Sequence, residues 1–115
     1  MSDKRTFERH NLARLAFANS PCSDESQGGI LSNISACGAL IDLVFPLRKI
    51  PREFMKEKPV HINIDSFPPL TGRVARSTRE IVAITFDLDG AQQTSLNEEI
   101  SQALARDRAL AGSVD

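Results

Sequence analysis

The sequence predicts an all-β barrel of five or six short antiparallel strands, followed by one amphipathic C-terminal helix. Three observations carry this reading. Short apolar runs alternate with period two, most clearly in Val60-His-Ile-Asn-Ile64. Clusters of turn formers separate these runs, the longest being Asn19 to Gly29 (NSPCSDESQGG). Helical spacing is sustained only over residues 95–111. Strands in series with a single helix at the end give a small closed or nearly closed barrel, its helix covering one opening.

The 115 residues suit one domain. The expected bounds are a polar, flexible arm over residues 1–11, a barrel domain over residues 12–111 that includes the helix, and a tail over residues 112–115. Leu12, Arg14, Ala16 and Ala18 alternate with Ala13, Leu15 and Phe17, which predicts a half-buried first strand. Residues 19–29 form a linking loop. Ile30 to Ile34 is a short second strand, Ser35-Ala-Cys-Gly38 a turn, and Ala39 to Phe45 an apolar third strand. Pro46 to Pro59 carries three prolines and five basic residues, Arg48, Lys49, Arg52, Lys56 and Lys58. It reads as a loop with one helical turn around Arg52 to Lys56. Val60 to Ile64 is a strand with Val60, Ile62 and Ile64 inward, and Phe67 to Leu70 turns the chain. Thr71 to Arg76 and Ile81 to Leu88 make a hairpin around Ser77 to Glu80. The helix over 95–111 opens on a capping box, Ser95 and Glu98. Leu96, Ile100, Ala103, Leu104 and Leu110 share its apolar face at helical spacing.

Composition excludes several function classes. A net charge of −1 argues against a general nucleic-acid binder, yet leaves room for a small anion held by a local basic cluster. Aromatic residues are 5%, all phenylalanine, too few for a single-strand-binding barrel that stacks bases. No apolar run approaches the roughly 20 residues of a membrane span. The N-terminus leads into no hydrophobic export segment, so a cytoplasmic protein with Cys22 and Cys37 as free thiols is expected. No enzyme motif is present. G-x-S-x-G, a Walker loop and G-x-G-x-x-G are all missing. His10 and His61 lie in separate segments, which gives zinc little support. No cofactor is expected.

Two constellations remain. In Lys4-Arg5-Thr-Phe-Glu-Arg9, two arginines sit four residues apart. They are about 13 Å apart if extended and about 6 Å apart if helical. Planar guanidiniums suit phosphates and the guanine edge. Arg48 and Arg52 repeat the spacing, so it is not specific. In Asn33-Ile-Ser35-Ala-Cys-Gly38, short polar side chains stand at a strand end, and Gly38 permits a backbone conformation closed to other residues and a close ligand approach. Asp24 to Gly29 also fits this pattern but lies in a polar loop.

In this order the two motifs resemble those of the PilZ domain, the bacterial receptor module for cyclic di-GMP. Its R-x-x-x-R opening is similar to Arg5 and Arg9 with Phe7 between, and its [D/N]-x-S-x-x-G is similar to Asn33, Ser35 and Gly38. Gly72 to Arg76 and Ile81 to Phe86 resemble its closing strands. A competing alignment sets His10 to Arg14 as the first motif, but Phe7 favours Arg5 and Arg9. The resemblance implies a six-stranded antiparallel barrel with a C-terminal helix, and cyclic di-GMP on the outer surface. Arg5 and Arg9 would meet phosphates and guanine, Asn33 and Ser35 would add hydrogen bonds, and Gly38 would let the backbone approach. The ligand enters such sites singly or as a stacked dimer, and Lys4, the residue before Arg5, leaves the stoichiometry open. Binding would refold the arm and signal to a separate effector protein. A second reading keeps the fold as a protein-interaction adaptor without nucleotide.

Overall fold

The computed structural model describes residues 8–112, and side chains up to residue 109. Lys4 and Arg5 lie outside these residues. Six strands follow in order: β1 (Leu15–Asn19), β2 (Ser26–Ser35), β3 (Gly38–Leu43), β4 (Pro59–Ile64), β5 (Leu70–Ser77) and β6 (Ile81–Phe86). The helix α1 (Gly90–Gly112) ends the chain, and a single 3-10 turn, Arg52–Phe54, precedes β4. All pairings are antiparallel, and the sheet closes as β1-β2-β3-β6-β5-β4. The β1–β4 ladder, with Ala16 opposite Ile64 and Ala18 opposite Ile62, makes the closure. The predicted barrel and helix are therefore both present.

Period-two alternation fills the interior. Ala16, Ala18, Leu31, Ile34, Ile41, Val60, Ile62, Ile64, Val74, Val82 and Ile84 point inward and are buried. Alanine twice on β1 leaves space for the branched side chains opposite, which a small barrel must fit into a narrow lumen. Leu12 enters the core ahead of β1, and Phe54 enters from the 3-10 turn, fully buried. The basic segment is thus a plug with a charged outer surface. Leu96, Ile100 and Ala103 lay α1 on the same core.

Several boundaries differ from expectation. The loop after β1 shrinks to residues 20–25, because Ser26 to Gly29 continue β2. Gly29 there is not a turn residue: a Cβ on it would lie 2.0 Å from the Asp42 carbonyl oxygen, so the neighbouring strand requires glycine. The third strand ends at Leu43, two residues before Phe45. The helix starts at Gly90, five residues before Ser95. Its cap is a reciprocal pair, in which the Gln92 amide donates to Asp89 Oδ1 (2.8 Å) and the Asp89 amide donates to Gln92 Oε1 (2.9 Å). Ser95 and Glu98 consequently lie inside the helix. The start of β1 also moves, from Leu12 to Leu15.

Among the described residues, one ion pair fastens the helix to the barrel wall. Arg14 grips Asp107 with two hydrogen bonds, 3.1 and 2.8 Å. The bond from Arg14 holds the Asp107 carboxyl below the usual carboxylate range. The same bond raises the Arg14 guanidinium pKa against an opposing effect of burial, with smaller contributions from the charges of Asp107 and Asp65. Because the folded Asp107 is more acidic than the unfolded one, the stabilisation is complete above the ordinary carboxylate pKa of about 4. It is lost as pH falls through the lower folded value. Asp107→Asn should therefore lower the thermal midpoint at pH 7, with the difference from wild type vanishing in strong acid. Phe54→Ala should cost about 3–5 kcal/mol in urea titrations, because it empties the plug.

Candidate functional site

The site grows from a break in alternation. In β2 the register shifts between Leu31 and Asn33, so that Ser32 is an extra residue opposite β3. Strict alternation from Leu31 would turn Asn33 inward and Ile34 outward. The bulge reverses this, burying Ile34 and placing Asn33 on the outer wall. A second bulge, between Val74 and Arg76 of β5, has the same effect on Arg76. Asn33 pairs with Leu40, Leu40 with Ala83, and Ala83 with Arg76. Four strands thus contribute one outward line with a polar side chain at each end. Three strand spacings separate those ends, about 14 Å.

The chain before β1 adds Arg9. His10 and Ile34 exchange backbone hydrogen bonds of 2.8 and 2.9 Å, so this part of the arm runs along β2. That pairing places Arg9 where its Nη1 donates to Asn33 Oδ1 at 2.6 Å. Arg9, Asn33, Gly38, Leu40, Arg76 and Thr85 line an open recess of about 350 Å³. Among the described residues, Arg9 and Arg76 form no ion pair. Arg73, beyond Thr85 in the next line, is offset by Asp87 at 3.4 Å and Glu57 at 4.0 Å. Two guanidiniums with no carboxylate partner and an apolar floor suit a planar, anionic ligand.

The other predicted residues fare differently. Ser35 is buried, and its Oγ accepts the Cys37 amide at 3.1 Å. It shapes the turn rather than lining the recess. Gly38 does line it, but not through an unusual backbone conformation, since no described glycine has positive φ. The reason for glycine is contact: a Cβ would fall 2.3 Å from the Ile84 carbonyl oxygen. Arg14 is committed to Asp107, which removes the alternative His10–Arg14 alignment. Arg76 was not among the predicted ligand residues. Its placement depends on a bulge that leaves no mark in composition, although two arginines on one strand, Arg73 and Arg76, were a visible signal.

A barrel of this order capped by one C-terminal helix is the fold of PilZ domains. No family model matches the sequence, and no curated protein matches it. Solved structures do. The PilZ domain of YcgR from Escherichia coli, solved with c-di-GMP, superposes with a TM-score of 0.70 at 12% identity, covering 97% of this chain and all of that one. The PilZ domain of CeSA from a cellulose-synthesizing bacterium gives 0.62 at 16% identity, covering 87% of this chain and 98% of that one. The Bacillus subtilis inhibitor of motility MotI gives 0.62 at 14% identity, over 94% of this chain and 53% of that one. At such identities the likeness establishes the fold. Gly38→Ala should destabilise the protein by about 1–3 kcal/mol in urea titrations, through its clash with β6. Arg76→Gln, on the outer wall, should change stability by no more than about 0.5 kcal/mol.

Proposed function

We propose that the chain is a cyclic di-GMP receptor that passes the signal to a separate protein in the bacterial cytoplasm. The observation that carries this is the recess itself. Arg9 held on Asn33 and Arg76 at the far end form a cationic wall, on the fold of a domain solved with that dinucleotide. Bidentate guanidinium contacts would neutralise the phosphates and address the guanine edge. Asn33 would trade part of its bond to Arg9 for the ligand. Leu40 and Ala83 offer a flat apolar floor between the charges, and Gly38 lets the ligand meet the backbone. Arg5, four residues before Arg9, supplies the second arginine of the opening motif, and Lys4 beside it bears on whether one or two nucleotides enter. Drawing this segment onto the barrel changes the surface offered to an effector. The role requires no catalytic group and no cofactor.

One observation favours the adaptor reading without nucleotide: the oxygen of Ser35 faces its own turn. Calorimetry decides between them. Cyclic di-GMP should bind with micromolar or tighter affinity, a rough expectation from a few charge-assisted bonds less ordering costs. Arg5→Ala and Arg9→Ala should each weaken it about tenfold to a hundredfold, the loss of a charge-assisted bond. Arg76→Ala should weaken it severalfold. Absence of heat from the folded wild-type protein would leave only the adaptor.

A further inference from the structure

A closed barrel has no free strand edge, so a partner cannot add a strand and must read side chains on the outer wall. One part of that wall is unusual. Leu15, Phe17 and Ile30 are outward on β1 and β2, with 53%, 46% and 40% of their surfaces exposed. Leu15 pairs with Ile30 and Phe17 with Gly28. Val44, whose amide donates to the Gly28 carbonyl, extends the patch, and Phe45, 81% exposed, follows it. Fixed apolar groups of this kind on an outer face mark contact surfaces.

Charge identifies the occupant. The cross-strand pair Leu15 and Ile30 is flanked by a carboxylate on each side, and beyond Asp42 the line continues to Ile81 of β6. Asp42 pairs with Ile30 on β3, and the Asp65 amide donates to the Leu15 carbonyl from the end of β4. The line therefore reads Asp65, Leu15, Ile30, Asp42. The charge of Asp65 acts on Arg14, which Asp107 already holds. A second copy of this chain whose line ran parallel or antiparallel to this one would bring carboxylates onto carboxylates, and an anionic lipid or nucleic-acid surface would be repelled. A polypeptide with apolar residues between two basic ones meets both the centre and the ends.

Phe17 is prepared for such a contact. Its ring lies over Gly28, where a Cβ would come within 2.6 Å of the ring carbon Cε1. Glycine there lets the ring lie against the backbone, so an aromatic anchor is already seated on the wall where a partner would meet it. We propose that this face, centred on Leu15, Phe17 and Ile30 and bracketed by Asp42 and Asp65, docks a protein segment of basic–apolar–basic pattern. Leu40 of the recess and Asp42 of this face are two residues apart on the same side of β3, so the two surfaces share a border. The docking face stands whether or not the recess takes a nucleotide.

The test uses the full chain, isotopically labelled, and synthetic peptides with four apolar residues between lysine pairs. The same peptides with glutamate in place of lysine are the comparison. The lysine peptides should bind, shift the resonances of Leu15, Phe17, Ile30 and Asp42, and lose affinity as salt is raised. Glutamate peptides should bind at least tenfold more weakly. Phe17→Ser and Asp42→Lys should each weaken the lysine peptide at least tenfold while leaving the thermal midpoint near wild type. Gly28→Ala, which displaces the ring, should weaken it severalfold. The proposal is overturned by no binding of the lysine peptides, by equal binding of both sets, or by shifts confined elsewhere. It is equally overturned if Phe17→Ser dissociates a dimer in sedimentation, or releases the chain from anionic vesicles, since the face would then belong to a second copy or to lipid.

Discussion

The β1–β4 ladder is the constraint on which the molecule depends. It joins the first strand to the fourth and turns an open sheet into a barrel. After closure, every strand must send alternate residues into one narrow lumen, so interior positions are fixed by volume. The two alanines of β1 follow from this, as do the branched side chains of β4 facing them. The openings must also be filled. Leu12 and Phe54 come from irregular segments, and Leu96 and Ile100 come from α1. The Arg14–Asp107 pair then anchors the far half of that helix at the position where the chain enters β1.

A closed barrel leaves function to its outside, and bulges decide what stands there. Each bulge inserts one residue and exchanges inward for outward beyond it. In β2 this brings Asn33 out without losing Ile34 from the core. In β5 it brings Arg76 out beside Ala83. Both bulges border the same recess. Backbone pairing at His10 then supplies Arg9 from outside the barrel. The recess is therefore assembled from β2, β3, β5, β6 and the incoming chain, and most of its cationic character comes from Arg9 and Arg76.

The barrel was legible in the sequence because alternation and turn chemistry agree over most of the chain. Val60 to Ile64 is an example, and its three inward residues are those expected. The differences arise where local sequence does not decide between alternatives. Gly28 and Gly29 read as turn residues, whereas they sit in β2 under the Phe17 ring and beside the Asp42 carbonyl, contacts made by residues distant in sequence. The helix start was masked because Ser95 and Glu98 match the same capping pattern as Asp89 and Gln92, and local sequence does not rank them. In the recess, Arg9, Asn33 and Gly38 stand at positions that the two motifs single out. Ser35 belongs to the same motif, but its side chain works within the turn. Arg76 depends on a register shift, which only the folded barrel defines.

The central claim is that one outer line, from Arg9 and Asn33 across Leu40 and Ala83 to Arg76, is where an anionic dinucleotide is held. Side-chain and backbone resonances followed during titration with cyclic di-GMP test it directly. The account predicts shifts in the Arg9 and Arg76 guanidinium signals, the Asn33 carboxamide and the Leu40 and Ala83 amides. The guanidiniums of Arg48 and Arg52, which repeat the same spacing in the plug segment, should not move. Shifts centred on Arg48 and Arg52, or none at saturating nucleotide, would contradict it.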